Sequence, residues 1–194
     1  MTAMPSAYPA IKTRKKVLTY DDYVALTPPD SGEFELQNGK IIQMASPSTR
    51  HQDVVVELTS QMHTHAKKHK LGKVLTAPMD TQFDKFNTFQ PDILFVSAER
   101  AGIIGEKKID GAPDLVVEVL SESNSQQEMS FKKHIYESHA VREYWVVNLR
   151  KNTVTQYTNI EGELMPVKIH SGPDVVESQV LAGFKISVQD IFEP

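Results

Sequence analysis

The chain contains no cysteine. That excludes a disulfide framework and any thiolate metal site. It also lacks a long apolar run: nothing approaches the roughly 20 consecutive apolar residues of a membrane-spanning helix. The opening residues, MTAMPSAYPAIKTRKK, carry no hydrophobic region of the secretory kind. A cytoplasmic protein is therefore the expectation. An excess of positive charge is missing too. The formal net charge of −4 argues against non-specific capture of nucleic acid by bulk charge. It leaves room for a nucleic-acid enzyme, since acidic metal ligands lower the count and basic groups can still line a groove. What is present is ordinary: 194 residues, 40% hydrophobic and 24% charged, enough for one domain with a full core.

The informative feature is local. Residues 111–121 read GAPDLVVEVLS, and between Leu115 and Leu120 the one residue that is not a large aliphatic is Glu118. A short valine-rich run behind a Gly/Pro signal predicts a strand buried on both faces. An ionised carboxylate there costs several kcal/mol unless a cation or strong donors meet it. A second stretch, PDILFV at 91–96, sets Asp92 at the mouth of another apolar strand. Either acid alone is as readily a turn cap or a strand-end acceptor as a functional group. Together they point to a site, because a hard divalent cation neutralises both.

Residues 1–17 are rich in proline and lysine and predict a flexible arm, followed by a single domain over 18–194. Thr19 and Asp22 have capping-box spacing before a short helix that ends at 28–32. Asn38-Gly39 between strand-like runs at 34–37 and 40–44 predicts a hairpin, which carries Glu35. A long helix follows over 51–70, capped by Thr49 with Gln52, its packed face formed by His51, Val55, Leu58, Met62, His65 and His69. His65 and His69 could chelate a metal at i, i+4, but no acidic third ligand lies near them and a packed face is the simpler reading. Strands are expected at 73–77 and 80–84, then a charged connector over 98–111.

Ser125 and Glu128 again have capping-box spacing at the start of a helix over 126–138. Its inward face is Met129, Ile135, Tyr136 and Ala140, with Lys132 near the centre and Lys133 toward the edge. A lysine on that face is the cation Glu118 needs, although such a lysine can also snorkel to water. Strands at 143–147 and 153–157 pair across Lys151-Asn152, edge strands follow, and a helical turn closes the chain at 187–192. The strand–helix–strand unit over 114–148 predicts a right-handed crossover in a mixed sheet, hence an α/β fold.

A hairpin glutamate, a Pro-Asp strand, a buried strand with glutamate and a helix with an inward lysine resemble the PD-(D/E)xK nuclease superfamily. Within it the chain resembles the Uma-type restriction endonuclease family, a domain of unknown function. The likeness runs from Tyr20 to Phe192 and is carried by PDILFV, GAPDLVVEVLSESN and KKHIYESHAVREYWVVN. It implies a restriction-endonuclease-like core: a central mixed β-sheet flanked by helices, with an N-terminal hairpin and a C-terminal β extension. Asp92 matches the motif aspartate and Glu118 the second acid. The position two residues on, where the superfamily usually has lysine, is Leu120; in the Uma-type family the lysine sits on the next helix, four residues before a tyrosine, as Lys132 does before Tyr136. Glu35 and His51 match an acid of the family's hairpin and a histidine opening its long helix. Asn38, Lys40, Glu122 and Glu128 depart from the family pattern and leave Asp92, Glu118 and Lys132 intact.

The resemblance implies hydrolysis of a phosphodiester, with DNA as substrate and a homodimer as the working unit. Mg²⁺ or Mn²⁺ would be held by Asp92, Glu118 and the carbonyl of Val119. Lys132 would orient the attacking water or stabilise developing charge. Glu35 would complete the acidic cluster, and His51 would donate to the phosphate or orient Glu35. No helix-turn-helix or zinc module is recognisable, so sequence recognition would fall to loops or a partner. Two other classes compete. A catalytically silent nuclease-fold protein, serving as a nucleic-acid-binding or assembly module, would be marked by loss of an acid or the lysine, and all three are kept. A small-molecule metallohydrolase would use the face carrying His51, His65 and His69.

Overall fold

The computed structural model describes residues 16–28, 33–120 and 126–193. Most of the expected arm, the end of the first helix's turn at 29–32, and the capping cluster at 121–125 lie outside these. Helix α1 (Tyr20–Leu26) starts on the expected box: the Thr19 side chain accepts from Asp22 N, and the Asp22 carboxylate accepts from Thr19 N. Strands β1 (Phe34–Gln37) and β2 (Lys40–Gln43) form the hairpin. Both turn residues take positive φ, 49° at Asn38 and 68° at Gly39. A Cβ at Gly39 would meet a Val17 methyl and crowd the Leu18 backbone at 3.1 Å, on top of the left-handed φ, so glycine is favoured there.

Helix α2 (Thr49–His69) begins one residue earlier than expected at its cap. Ser48, not Thr49, is the N-cap, its side chain accepting from His51 N. The buried stripe is His51, Val54, Leu58, Met62 and Ala66. Val55 and His65 are half-buried and His69 is exposed, so the packed face is rotated from the heptad-like one. The next elements are β3 (Gly72–Thr76), β4 (Thr81–Asp84), β5 (Asn87–Phe89), β6 (Ile93–Ser97), a 3₁₀ turn (Ala98–Ile103), β7 (Ile109–Asp110) and β8 (Leu115–Leu120). Then come α3 (Gln126–Ser138), β9 (Glu143–Asn148), β10 (Thr153–Ile160), β11 (Glu163–Ser171), β12 (Val175–Glu177), β13 (Lys185–Ser187) and α4 (Val188–Phe192).

The strands form two large sheets rather than one. The hairpin joins a five-stranded sheet in the order β2-β1-β5-β4-β7, and the larger sheet runs β11-β10-β9-β8-β6-β3. In the larger sheet β8 is antiparallel to β6 and parallel to β9, with α3 as the crossover, so the sheet is mixed as expected. Strand alternation explains why β8 is buried on both faces. Leu115, Val117 and Val119 pack with Val54, Leu58 and Met62 of α2 and with Trp145. Val116 faces the other way, into a cluster with Ile135 and Tyr136 of α3, Phe89 and Tyr144. Glu118, two residues on, shares that face and so points toward α3. Ala140, expected on the inward face of α3, is exposed beyond the helix end with φ 59°. The helix has already broken there, so its periodicity no longer applies.

Two fully buried carboxylates away from this face are structural clamps. Asp114 meets Arg100, Arg142 and the Ser97 N–H. Glu143 meets no cation among the described residues, but Trp145 Nε1, Gln156 Nε2, Ser178 Oγ and the N–H groups of Gln179 and Val180 all donate to it. It thereby ties β9 and β10 to the segment that connects β12 to β13. Removing such an acceptor strands several buried donors. Glu143→Ala is expected to cost about 3 kcal/mol or more, read as a fall in urea midpoint at unchanged m-value. A loss under about 1 kcal/mol would show that the clamp carries little.

Candidate active site

Strand register brings the two acids of the apolar strands together. In the antiparallel β6–β8 pair Ile93 stands opposite Val117. One step outward, Asp92 comes opposite Glu118. Asp92 lies just outside β6, and its Oδ2 accepts the Val119 N–H at 2.7 Å, which ties the aspartate to the neighbouring strand. An extended residue directs its N–H and C=O to the same edge, so the Val119 carbonyl also faces the Asp92 side.

Helix α3 supplies two groups one turn apart on its inner face, an i, i+4 pair. Lys132 Nζ lies 3.2 Å from Glu118 Oε1 and 2.9 Å from Glu35 Oε1. The Tyr136 hydroxyl donates to the same Glu118 oxygen at 2.5 Å. Glu35 reaches the lysine from β1 of the other sheet and is fully buried. Its oxygens are held by the Gln90 N–H and the Gln37 side-chain amide, each at 2.9 Å. The ammonium therefore bridges the two sheets, 5.6 Å from the centre of the Phe89 ring.

His51, in the first turn of α2, places Nε2 3.3 Å from Asp92 Oδ1. His51, Asp92, Glu118, Val119 and Lys132 line one pocket of about 230 Å³, closed on the hairpin side by Ile42, Gln43 and Met44. Glu35 stands behind Lys132 rather than on the pocket wall.

Lys132 thus serves two carboxylates, Glu35 and Glu118, while Asp92 is met by His51 and the Val119 N–H. Burial pushes the Glu118 carboxyl up to about 7, and the charges of Asp92 and Glu35 add to this against the pull of Lys132 and Tyr136. Burial would lower the Lys132 amine, but Glu118 and Glu35 outweigh it and hold it above the ordinary lysine range. Burial also works against the His51 imidazolium, yet Asp92 raises it above its usual value. The site has unmet negative charge. Among the described residues no three His, Asp or Glu side chains converge as a ready-made metal cage. Asp92 and Glu118 do supply hard oxygens on one pocket wall, which fits an ion such as Mg²⁺ that keeps most of its waters and takes one or two carboxylates.

All five side chains singled out from the sequence, Glu35, His51, Asp92, Glu118 and Lys132, meet here. His65 and His69 do not. Their rings are 4.6 Å apart, but His65 Nε2 sits 2.9 Å from the Ala182 carbonyl, about 20 Å along α2 from His51. Sequence reasoning put Tyr136 on the inner face without seeing its bond to Glu118, and it missed the donors Gln37 and Gln90. The Lys132–Tyr136 spacing is the signal that could have found the first; nothing local marks the glutamines.

The pattern of the family described as "Putative restriction endonuclease" (Uma2) matches residues 20–189. Among solved structures, the chain resembles one titled a putative nuclease belonging to DUF820, from Anabaena variabilis. The two are 22% identical with a TM-score of 0.76, covering 90% of this chain and 97% of that one. That likeness establishes the fold. No protein of curated function matches the chain.

A carboxyl held near 7 when folded and near 4.5 when unfolded stabilises the fold below the lower value, and that contribution is lost as pH rises through the higher one. In EDTA, Glu118→Gln is expected to melt above the wild type at about pH 8 and to lose that advantage by about pH 5. A difference in Tm that stays flat over this range would mean that Glu118 is not strained by its burial.

Proposed function

Because the chain belongs to the Uma2 restriction endonuclease family, we propose that it is a divalent-metal-dependent endonuclease that hydrolyses phosphodiester bonds in DNA in the cytoplasm. The observation that carries this reading is the convergence of Asp92, Glu118 and Lys132 on one pocket with uncompensated negative charge. A divalent ion bound there would supply charge neutralisation and activation of the attacking water.

Asp92 and Glu118 would hold such an ion through their carboxylate oxygens, with the Val119 carbonyl as a further oxygen at the same edge. The Val119 N–H fixes one Asp92 oxygen and leaves the other toward His51 and the pocket. Lys132 and Tyr136 both hold Glu118 Oε1, so Oε2 is the oxygen left for the pocket. Lys132 brings a fixed positive charge to the wall where charge develops on the phosphate, in a site with little water to screen it. Glu35 keeps Lys132 protonated and in place. His51, raised by Asp92, holds that aspartate at the pocket wall through Nε2. Nothing in the geometry favours the silent-module alternative, since no member of the set is missing or turned to solvent. A homodimer would let two such pockets address both strands of a duplex.

Supercoiled plasmid should be nicked in Mg²⁺ or Mn²⁺ and left intact in EDTA. Asp92→Asn and Glu118→Gln are expected to lose about 10²-fold or more in rate while remaining folded. Mn²⁺ should raise the Tm of the wild type and not of Glu118→Gln, a readout independent of turnover. Equal nicking by wild type and Lys132→Ala would remove the lysine from the mechanism.

A further inference from the structure

The pocket wall is poor in cations available to a polyanion. Glu33, Asp92 and Glu118 line it, Lys132 is already committed to two carboxylates, and His51 to Asp92. Phosphates on either side of the scissile one must find positive charge outside the pocket. Most of the surface lysines and arginines whose contacts are defined face acids: Lys16 with Asp22, Lys133 with Glu137, Lys168 with Asp174, Lys185 with Glu177, and Arg100 and Arg142 with Asp114.

Two cations beside the pocket differ. Arg50 is exposed and directly precedes His51. Its Nη2 donates to Asn152 Oδ1 at 2.7 Å, which joins the first turn of α2 to the β9–β10 turn. In the parallel β8–β9 pair Leu120 stands opposite Asn148, so that turn emerges at the same end of the sheet as Glu118. The turn is built rather than loose: the N–H groups of Arg150 and Lys151 both donate to Asn148 Oδ1 at 3.0 Å. Lys151 is exposed at its tip, and neither Lys151 nor Arg50 meets a carboxylate among the described residues. Among the described residues that line the pocket from the hairpin side (Glu33, Ile42, Gln43 and Met44), the charged one is Glu33.

Resting on the nuclease reading above, we propose that Arg50 and Lys151 form the rim that grips the phosphates flanking the scissile one. The nucleic-acid backbone then enters the pocket across the opening turn of α2 and the β9–β10 turn, and not over the hairpin. Contacts of this kind position the strand without reading its sequence.

The test uses the full chain carrying Glu118→Gln, so that a fluorescent 20-base-pair duplex is bound and not cut. Anisotropy titrations over roughly 50–200 mM KCl give the salt slope. Adding Arg50→Ala and Lys151→Ala should weaken binding about tenfold or more and flatten the slope of log K against log salt by about two. The same pair in the otherwise wild-type enzyme should raise KM with little change in kcat. Asn152→Ala, which keeps both charges and removes the tether, separates loss of charge from loss of the turn; it should retain most of the slope. Lys185→Ala, on the β12–β13 ribbon, should change neither. Unchanged affinity and slope in the double variant, with the wild type still cleaving plasmid, would overturn the rim and leave the nuclease reading standing. An equal loss from Lys185→Ala would overturn it as well. A wild type that neither binds nor cleaves DNA would remove both.

Discussion

One ammonium group holds the centre of this molecule together. Lys132 Nζ lies between Glu35 of one sheet and Glu118 of the other, with its side chain 3% exposed. Taken singly, each of these charges would cost several kcal/mol to bury. Each is tolerated because the other two are there, so the positions of β1, β8 and α3 are mutually conditional. The contact also sets the character of the pocket: one lysine is divided between Glu35 and Glu118, and Asp92 beside them has no lysine contact among the described residues. The surplus lies on Asp92 and Glu118, which face the pocket, rather than on Glu35, which is sealed behind.

That surplus separates the site from the other buried acids of the same fold. Asp114 follows a proline and precedes an apolar strand, as Asp92 does. It nevertheless meets two guanidinium groups and a backbone N–H, so its charge is over-compensated. Glu143 sits within a buried strand, as Glu118 does, but five neutral donors serve it. Both are closed systems that make the framework rigid. Unlike these two, the candidate site combines buried acids with an opening to solvent and a deficit of positive charge. A ligand that supplies positive charge is what such an arrangement accepts, and a phosphate group can then follow it in.

Much of this was legible residue by residue. Asn38-Gly39 specified the hairpin turn, the Thr19–Asp22 box opened α1, and the valine run of β8 announced its double burial. The α3 stripe put Lys132 inward because helical spacing alone aligns it with Ile135 and Tyr136. Failures came where a local pattern had near-equivalent solutions. Ser48 and Thr49 are both good caps, and Val54 and Val55 both continue a packed stripe from His51; packing against β8 chose the first of each. The five-stranded sheet was invisible as a unit because β5 has three residues and β7 two, too few for any periodicity to register.

By itself the sequence determined most of the strands and helices, though not β5 or β7, which acids the long strands would bury, and which lysine could face them. All of that follows from side-chain spacing over a few turns or a few residues. Tertiary structure alone decided that Asp92 stands opposite Glu118, that Glu35 crosses from a second sheet to a lysine 97 residues away, and that Arg50 is tied to Asn152 over 102 residues. Such pairings are set by strand register and by the packing of distant elements, and no spacing within one segment encodes them.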